Sequence, residues 1–264
     1  MTSTTQSLFD VGVVIPTHTR RDLLPRAISS CGDVSVVVVD DSPGGMNPLG
    51  GVQWLRSGGD QGFARAVNLG LSQLAADGKR VALVLNDDAT LAPAALAALT
   101  AAWRTHPGVV GPVIQDLDGN VESTGFRLEH WGRLQAHTTL PTALKSVDAV
   151  SGACLMVGVH WRFDPAFTHG MEDIELCRRV RKAGGSVHVV PHAHCTHQGG
   201  ATVSRATPAA QRHAVAGHLR LVGGGWRTLP VLALAMAQSL RERGGIERFS
   251  AVFEGYRDFR IGAD

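Results

Sequence analysis

The sequence predicts an α/β fold: a mostly parallel, Rossmann-like sheet flanked by helices, with further helices at the C-terminus. Patterns typical of strands and helices alternate about four times before residue 105, as in doubly wound sheets. Two of the predicted strands end in paired carboxylates, Asp40-Asp41 and Asp87-Asp88. Because parallel strands end at the same edge, we expect these carboxylates to line the crevice where such sheets bind ligands.

The elements of this first part follow from apolar runs and from the residues that interrupt them. The β-branched run from Val11 to Ile15 predicts the first strand, which Pro16 ends. Apolar residues at helical spacing predict helices, and continuous apolar runs predict buried strands. The other predicted elements are a helix at Asp22–Ser30, strands at Val34–Val39 and Val52–Leu55, a helix at Phe63–Ala76, a strand at Val81–Leu85 and a helix at Pro93–Trp103.

The second half is less regular. After a strand at Val109–Ile114, the polar stretch Val121–Leu140 indicates an insertion or loop outside the core. Small residues within Val147–Val157, Gly152 among them, predict a strand that another group can approach closely. We expect one domain over residues 1–205 and a helical extension over 206–264 packed on it. The remaining predicted elements are a helix at Ile174–Ala183, a strand at Ser186–Val190 and helices at Pro208–Val222, Leu229–Arg243 and Ile246–Tyr256.

Composition argues against several classes of protein. Lys and Arg number 25, Asp and Glu number 23, and aromatic residues are 5%, so we expect no nucleic-acid partner. The N-terminal residues do not resemble a signal peptide, and no apolar run approaches the ~20 residues that a membrane-spanning helix needs. The four cysteines lack CxxC spacing, which favours reduced, mostly buried thiols. These features predict a cytoplasmic protein.

Asp87 and Asp88 directly follow the predicted buried strand Val81–Leu85. Desolvation of an unpaired carboxylate is costly, so both are expected where the strand emerges from the core at its carboxyl end. Hard oxygen ligands at this place suit Mg²⁺ or Mn²⁺, which often bridges carboxylates to the phosphates of a substrate. On this stretch alone, the alternative is a solvated turn that caps the helix beginning near Pro93.

Seven short segments follow one another in a characteristic order. They are VVIPTHTR (Val13–Arg20), VVVDDS (Val37–Ser42), QGFARAVNLG (Gln61–Gly70), LVLNDD (Leu83–Asp88), SGAC (Ser151–Cys154), EDIEL (Glu172–Leu176) and HQGG (His197–Gly200). Together they resemble family-2 glycosyltransferases of the GT-A fold, most closely the rhamnosyltransferase-like branch. Two positions depart from the family's metal-binding DxD-type motif, because Asn86 takes its first place and Asp87 stands where the branch has proline.

The resemblance implies an inverting transfer of a sugar from a UDP- or dTDP-sugar to an acceptor hydroxyl, with Mn²⁺ or Mg²⁺ as cofactor. Asp173 corresponds to the family's general base and Glu172 to its neighbour, although acidic residues also suit any helix N-terminus. Asp88 corresponds to the metal-binding Asp, and His197 to a His that can join the metal or the diphosphate. The chemistry agrees, because a divalent cation stabilises the leaving diphosphate and a single displacement needs a base beside the acceptor.

The nucleotide sugar is expected along the edge where the strands end. Asp40 can accept a hydrogen bond from a pyrimidine N3–H, and Arg65 and Asn68 lie at i and i+3 on one helix face. A solvated surface charge is the alternative for Arg20 and Arg65. The residues expected to bind the nucleotide sugar are Pro16, Thr17, Arg20, Asp40, Asp41, Arg65, Asn68, Asn86, Asp87 and Gly152.

Two other functions stay open on the sequence alone. A nucleotidyltransferase shares a nucleotide-binding α/β domain, but the residues after the first strand, 17–21, lack the glycine-rich basic loop that would favour it. A nucleotide-sugar-binding protein without turnover stays open because Asn86 replaces a carboxylate. Zinc bound by the segment His188–His197 is disfavoured, because closely spaced His and Cys residues form a weak motif.

The acceptor is left unknown: a small molecule, a glycan or a lipid-linked molecule. Basic residues near Trp226 and Leu229–Met236 suit a lipid-linked acceptor or peripheral contact with the inner face of the membrane. Packing of an amphipathic helix on the core explains the same pattern. The sequence also leaves a homodimer open, and the family motifs do not fix the sugar.

Overall fold

Strands and helices alternate through the first part of the chain, as the sequence predicts. The computed structural model describes residues 8–167, 170–199, 208–241 and 245–261. The boundaries of one predicted helix and one predicted strand, Phe63–Ala76 and Val81–Leu85, agree with the structure to the residue. The elements up to residue 105 are β1 (Val11–Thr17), α1 (Leu24–Ser30), β2 (Ser35–Asp40), β3 (Gln53–Arg56), α2 (Phe63–Ala76), β4 (Val81–Leu85), β5 (Ala89–Leu91) and α3 (Ala95–Thr105).

The rest of the chain adds strands to the same sheet and then turns helical. Its elements are β6 (Gly108–Gln115), β7 (Val121–Ser123), β8 (Phe126–Leu128), β9 (Leu134–Ala136), β10 (Lys145–Ser146), β11 (Cys154–Gly158), α4 (Glu172–Lys182), β12 (Ser186–His197), α5 (Pro208–Val222), a 3₁₀ turn (Gly225–Arg227), α6 (Thr228–Arg241) and α7 (Gly245–Ile261).

The large sheet has the strand order β10-β12-β6-β11-β4-β1-β2-β3, with β5 and β7 paired to β12 and β6. β4, β1, β2 and β3 run parallel, and β6 and β12 are parallel to each other. β11 is antiparallel to both β4 and β6, so it joins the two parallel groups. The sheet is therefore mostly parallel, and the carboxyl ends of β1, β2 and β4 meet at one edge.

Two apolar clusters cover the two faces of this sheet. Val13 and Val14 are neighbours on β1, yet each belongs to a different cluster because strand side chains alternate between faces. Helix α2 packs on the Val14 face through Leu71. A Cβ atom at Gly70 would collide with Val14, so glycine at this position lets α2 lie close to β1 and β2.

Several predictions of secondary structure differ from the structure. Pro16 does not end the first strand, because the register of β1 with β2 continues through Pro16 and Thr17. Val121–Leu140 contains three short strands rather than a loop alone. Val147–Val157 is not one strand: before β11 begins at Cys154, the segment 147–153 forms a single β-bridge, between Ala149 and Phe126. β12 does not stop at Pro191: its register with β6 shifts between Val190 and His194, and the strand then continues to His197. A proline lacks the N–H of a regular ladder, and the shift accommodates it.

Helices α5, α6 and α7 share a cluster of their own, with Leu219 and Val252 at its centre. Gly217 of α5 approaches the turn before α4, where a Cβ atom would lie 2.8 Å from the carbonyl oxygen of Gly170. The helices therefore pack against the end of the sheet that carries α4. In the part of the chain that the structure describes, no helix is both long and apolar enough to cross a membrane.

Candidate active site

Three parallel strands bring their terminal residues together at one edge of the sheet. Thr17 at the end of β1 is the register partner of Asp40 at the end of β2, and β4 pairs with β1 on its other side. The Thr17 hydroxyl donates a hydrogen bond of 2.6 Å to Asp87 Oδ2 in the loop after β4. The sequence thus places the carboxylates of both paired motifs along one crevice, as their strand-end positions predict.

Asp87 and Asp88 occupy a poorly hydrated part of this crevice. Burial raises the pKa of Asp87 to about 6, with the Asp88 charge adding to the increase and the Thr17 hydrogen bond opposing it. Oδ1 of Asp88 is buried and has no hydrogen-bond partner among the described residues. A cation would stabilise a buried carboxylate oxygen that lacks a hydrogen bond and lies beside a second carboxylate.

His197 at the end of β12 faces Asp88. β12 pairs with β5 there, with His197 opposite Ala89, and the backbone N–H of Gln198 donates to the Asp88 carbonyl at 3.0 Å. The Nε2 atom of the buried imidazole lies 3.3 Å from Asp88 Oδ1. Burial lowers the pKa of His197, but the carboxylates of Asp88 and then Glu122 outweigh it, and the net shift is upward.

The carboxylate of Asp88 and the imidazole of His197 fit a divalent cation that a substrate also coordinates. Within the described ranges, no three His, Cys, Asp or Glu side chains lie close enough together to hold a metal alone. Mg²⁺ and similar ions are commonly held by one or two protein ligands together with substrate phosphates. Asp88 Oδ1, which accepts no hydrogen bond from any residue that the structure describes, and the His197 Nε2 atom 3.3 Å from it agree with such a partial site.

A second carboxylate group lies at the N-terminus of α4. Asp173 Oδ2 accepts a hydrogen bond of 2.7 Å from the Gly152 backbone N–H, and its Oδ1 accepts one of 2.8 Å from Ile174 N–H. A Cβ atom at Gly152 would lie 3.2 Å from Asp173 Cβ and Oδ2, so glycine leaves room for this contact. Within residues 147–153, the Gly152 N–H thus donates to Asp173, whereas the Val147 N–H donates to Val187 of β12 and the Asp148 N–H to Phe126 of β8.

Glu172 lies in a different environment from Asp173. Its Oε2 atom is buried without a hydrogen-bond partner among the described residues. Burial first, and the neighbouring Asp173 charge second, raise the pKa of Glu172 well above the usual range of a carboxyl group. The two consecutive carboxyl groups are therefore suited to different protonation states.

The backbone joins the two carboxylate groups. Asn86 N–H donates to the Ala153 carbonyl at 2.9 Å, and Gly152 N–H donates to Asp173. The loop after β4 and the N-terminus of α4 thus contact the same dipeptide, Gly152-Ala153. This arrangement brings the predicted metal-binding and base residues to one end of the sheet.

Asp40 and Asp41 hold the neighbouring loops. Asp40 is fully buried, accepts hydrogen bonds from Ser42 N–H at 3.0 Å and Met46 N–H at 2.6 Å, and lies 3.9 Å from Arg56. Asp41 accepts from the N–H groups at 61 and 62, at 2.9 Å each, just before α2. In this structure both side chains stabilise loop geometry, and their contact with a nucleotide stays a prediction.

The other predicted donor residues lie on either side of these loops. Arg20 pairs with Asp22 at 3.1 Å. The hydrogen bond to Asp22, and to a smaller extent the negative charges of Asp87 and Asp88, raise the pKa of Arg20. Pro16 is half-buried within β1. The side-chain amide of Asn68 donates to the Phe163 carbonyl and accepts from the Phe163 N–H, at 2.8 Å each, so it holds the loop that contains Phe163. Arg65 is exposed and lines a groove of about 370 Å³ together with Ser57, Gln61, Asn68, Leu69 and Pro165.

Sequence reasoning missed Glu122, whose Oε2 lies 3.5 Å from His197 Nδ1. It lies in a polar stretch that we expected to be a loop, and no motif includes it. Only the pairing of β7 with β6 brings it to the site. Gly200, the last residue of the HQGG segment, lies outside the described residues.

Comparison with known proteins gives consistent matches. A family model described as "Glycosyltransferase like family 2" matches residues 46–223. Curated relatives include the N-acetylglucosaminyl-diphospho-decaprenol L-rhamnosyltransferases of Mycobacterium tuberculosis strains CDC 1551 / Oshkosh and ATCC 25618 / H37Rv. Each is 27% identical over 219 residues, which cover 68% of this chain and 71% of the relative.

Solved structures resemble this fold along nearly the whole chain. A crystal structure of GalNAc-T7 with UDP, GalNAc and Mn²⁺ has a TM-score of 0.63 at 15% identity and covers 96% of this chain. This chain spans only 57% of that structure. S. aureus TarS 1-349 in complex with UDP-GlcNAc has a TM-score of 0.58 at 13% identity, with 94% of this chain and 80% of that chain covered. At these identities the similarity establishes the shared GT-A fold.

Proposed function

Because this chain belongs to glycosyltransferase family 2, we propose that it is an inverting, metal-dependent transferase acting on a lipid-linked acceptor. The donor is a UDP- or dTDP-sugar, and two solved structures of the same fold that contain UDP with a sugar support a nucleotide-sugar donor. A curated relative is named for rhamnosyl transfer to N-acetylglucosaminyl-diphospho-decaprenol. We therefore propose a sugar linked to a lipid through a diphosphate as the acceptor class.

One observation carries the proposed mechanism: the Gly152-Ala153 dipeptide contacts Asp173 and also the backbone of Asn86, the residue before Asp87. Ala153 accepts from Asn86 N–H, and Gly152 donates to Asp173. A single displacement needs the leaving group and the attacking hydroxyl on opposite sides of the reacting carbon. Because Gly152 holds Asp173 and Ala153 holds the backbone that leads into Asp87-Asp88, the two acidic groups are suited to serve these two sides.

Asp173 is the proposed base. It accepts the proton of the acceptor hydroxyl while the hydroxyl oxygen bonds to C1 of the sugar and the bond from C1 to the diphosphate breaks. The two backbone N–H groups orient its carboxylate for this role. Glu172, with its raised pKa, is proposed to retain its proton, which leaves Asp173 as the base.

Asp88 and His197 are the proposed protein ligands of Mn²⁺ or Mg²⁺. The bound cation would neutralise charge that develops on the leaving diphosphate. Asp87, Asn86 and Thr17 line the same crevice and are proposed to contact the donor. The other residues proposed to bind the donor, directly or by holding the loops around it, are Pro16, Arg20, Asp40, Asp41, Arg65, Asn68 and Gly152.

A lipid-linked acceptor places the proposed reaction at a membrane surface, on its cytoplasmic face. The exposed side chains of Trp226 and Leu229, which are 63% and 74% accessible, support peripheral contact there. The division at residue 205 lies outside the described residues, and it stays a prediction together with a homodimer.

The test combines a variant with product stereochemistry. Asp173→Asn should bind UDP or dTDP as the wild type does and lose at least about 100-fold in transfer rate, because general base catalysis is removed. Glu175→Gln, two residues further along α4 at a carboxylate paired with Arg179, is the matched control and should retain transfer. Near-normal turnover in Asp173→Asn would exclude this residue as the base.

NMR of the anomeric centre in donor and product tests inversion separately. An inverted configuration is expected for one displacement. Retention of configuration would refute the single-displacement mechanism whatever the outcome for the Asp173 variant.

A further inference from the structure

Glu122 lies in a β-bulge beside the candidate active site. Ile114 of β6 pairs with Ser123, whereas Gln115 pairs with Val121, so Glu122 is an extra residue on β7. Such bulges redirect a side chain and are frequent next to active sites. The chain of β7 therefore presents Glu122 in a direction that a regular strand would not give it.

The bulge brings Glu122 to the far side of the His197 ring. Its Oε2 lies 3.5 Å from His197 Nδ1, while the other ring nitrogen, Nε2, lies 3.3 Å from Asp88 Oδ1. The imidazole is thus located between two carboxylates that come from different parts of the sheet. Contacts of this length often tighten when the ligands of a site are bound.

We propose that Glu122 is a positioning residue that keeps the proton of neutral His197 on Nδ1, which leaves the Nε2 lone pair available on the Asp88 side. This inference rests on the proposed metal role of Asp88 and His197. A neutral imidazole can bind a metal only through the nitrogen that carries no proton. Metal-binding histidines commonly donate their other N–H to a carboxylate for this reason.

The surroundings of Asp88 explain why a partner for Nδ1 is needed. Oδ1 of Asp88 is buried and has no hydrogen-bond partner among the described residues. Without Glu122, the Asp88 carboxylate, whose Oδ1 lies 3.3 Å from Nε2, would attract the proton of the neutral ring to Nε2. That tautomer would occupy the two atoms proposed to bind the cation.

The proposal is tested by Mn²⁺ affinity rather than by activity. Free Mn²⁺ is measured by EPR during titration of the full chain with UDP or dTDP present. Glu122→Ala should weaken Mn²⁺ binding by about 10-fold, the lower limit for loss of such a partner.

Glu122→Gln should bind Mn²⁺ nearly as the wild type does, because its amide oxygen still accepts from Nδ1–H. Asp118→Ala, in the same hairpin, is the matched control for the loss of one negative charge and should bind normally.

A double variant separates an effect through His197 from a direct one. In the His197→Ala background, Glu122→Ala should cause no further loss of Mn²⁺ affinity. An equal loss in both backgrounds, or a Glu122→Gln variant as weak as Glu122→Ala, would mean that Glu122 acts by charge alone and would overturn the proposal.

Failure of this inference and failure of the proposed function give different results. Wild-type affinity in Glu122→Ala, with weak binding in His197→Ala, overturns the role of Glu122 and leaves the metal site intact. Absence of Mn²⁺ binding by the wild type with either nucleotide overturns the proposed metal dependence, and the role of Glu122 with it.

Discussion

Glu172 and Asp173 are consecutive acidic residues whose side chains differ in hydrogen bonding. Asp173 accepts hydrogen bonds from two backbone N–H groups, whereas Oε2 of Glu172 is buried without a partner in the described structure. Backbone donors favour a charged carboxylate, and burial favours a neutral one. The chain thereby obtains two carboxyl groups with different protonation preferences from neighbouring positions on one helix.

The raised pKa of Glu172 predicts a specific pH dependence of stability. Between its ordinary pKa and the raised one, the folded protein binds more protons than the unfolded chain. The free energy of unfolding therefore falls as the pH rises through this window. Glu172→Gln should remove this decline and raise the Tm at pH 8 by about 2 °C or more.

Thermal unfolding of both proteins between pH 5 and pH 9 checks this prediction. Glu175→Gln is the control, since Glu175 is paired with Arg179 on the same helix. Parallel Tm curves for the wild type and Glu172→Gln would show that Glu172 titrates normally in the folded protein.

At the scale of elements, helix α5 supports two parts of the site's surroundings. Gly217 packs on the Gly170-Met171 turn that precedes Asp173. The imidazole of the next residue, His218, contacts the carbonyl oxygen of Gly132 in the loop between β8 and β9. Helix α5 therefore packs against the turn before α4 and against the loop between β8 and β9, although it contributes none of the proposed catalytic residues.

Gly217→Ala tests this support. Its Cβ would lie 2.8 Å from the Gly170 carbonyl oxygen, and backbone on both sides cannot yield easily. Overpacking of this kind typically costs about 1–3 kcal/mol, and a shifted turn should also lower kcat. Chemical denaturation and steady-state kinetics measure the two effects.

The control has the same substitution within the helical cluster. A Cβ at Gly255 of α7 would lie 2.5 Å from the Arg212 carbonyl oxygen, with no contact to the turn before α4. Gly255→Ala should lose stability and keep kcat at permissive temperature. Equal kcat losses in both variants would contradict a specific role for the α5–turn contact.

At the scale of the whole molecule, the sequence predicts best what depends on local pattern. The limits of α2 and β4 follow from apolar spacing and from the residues that flank them. Convergence of Asp40 and Asp87 also follows, because it needs only parallel strands. Glu122 and the continuation of β12 past Pro191 could not be predicted, since both depend on register with β6, a partner distant in the sequence.

Metal and nucleotide should stabilise the molecule jointly. A ligand that binds only the native state raises its stability by mass action, by about 2.7 kcal/mol at 100 times Kd. With Mn²⁺ and UDP or dTDP together, the Tm should rise by about 5 °C or more, and EDTA should abolish most of this increase. EDTA without nucleotide is the control. An undiminished nucleotide effect in EDTA would contradict metal-bridged binding.

The Gly152-Ala153 dipeptide also provides two spectroscopic reporters. The Asn86 amide proton points to Ala153 and reports on the crevice side, whereas the Gly152 amide proton points to Asp173 and reports on the other. In a two-dimensional NMR titration, a ligand that binds on the crevice side should change the chemical shift of the Asn86 amide first. A ligand that binds beside Asp173 should change that of the Gly152 amide first. The order in which donor and acceptor bind to the enzyme can therefore be followed without a turnover assay.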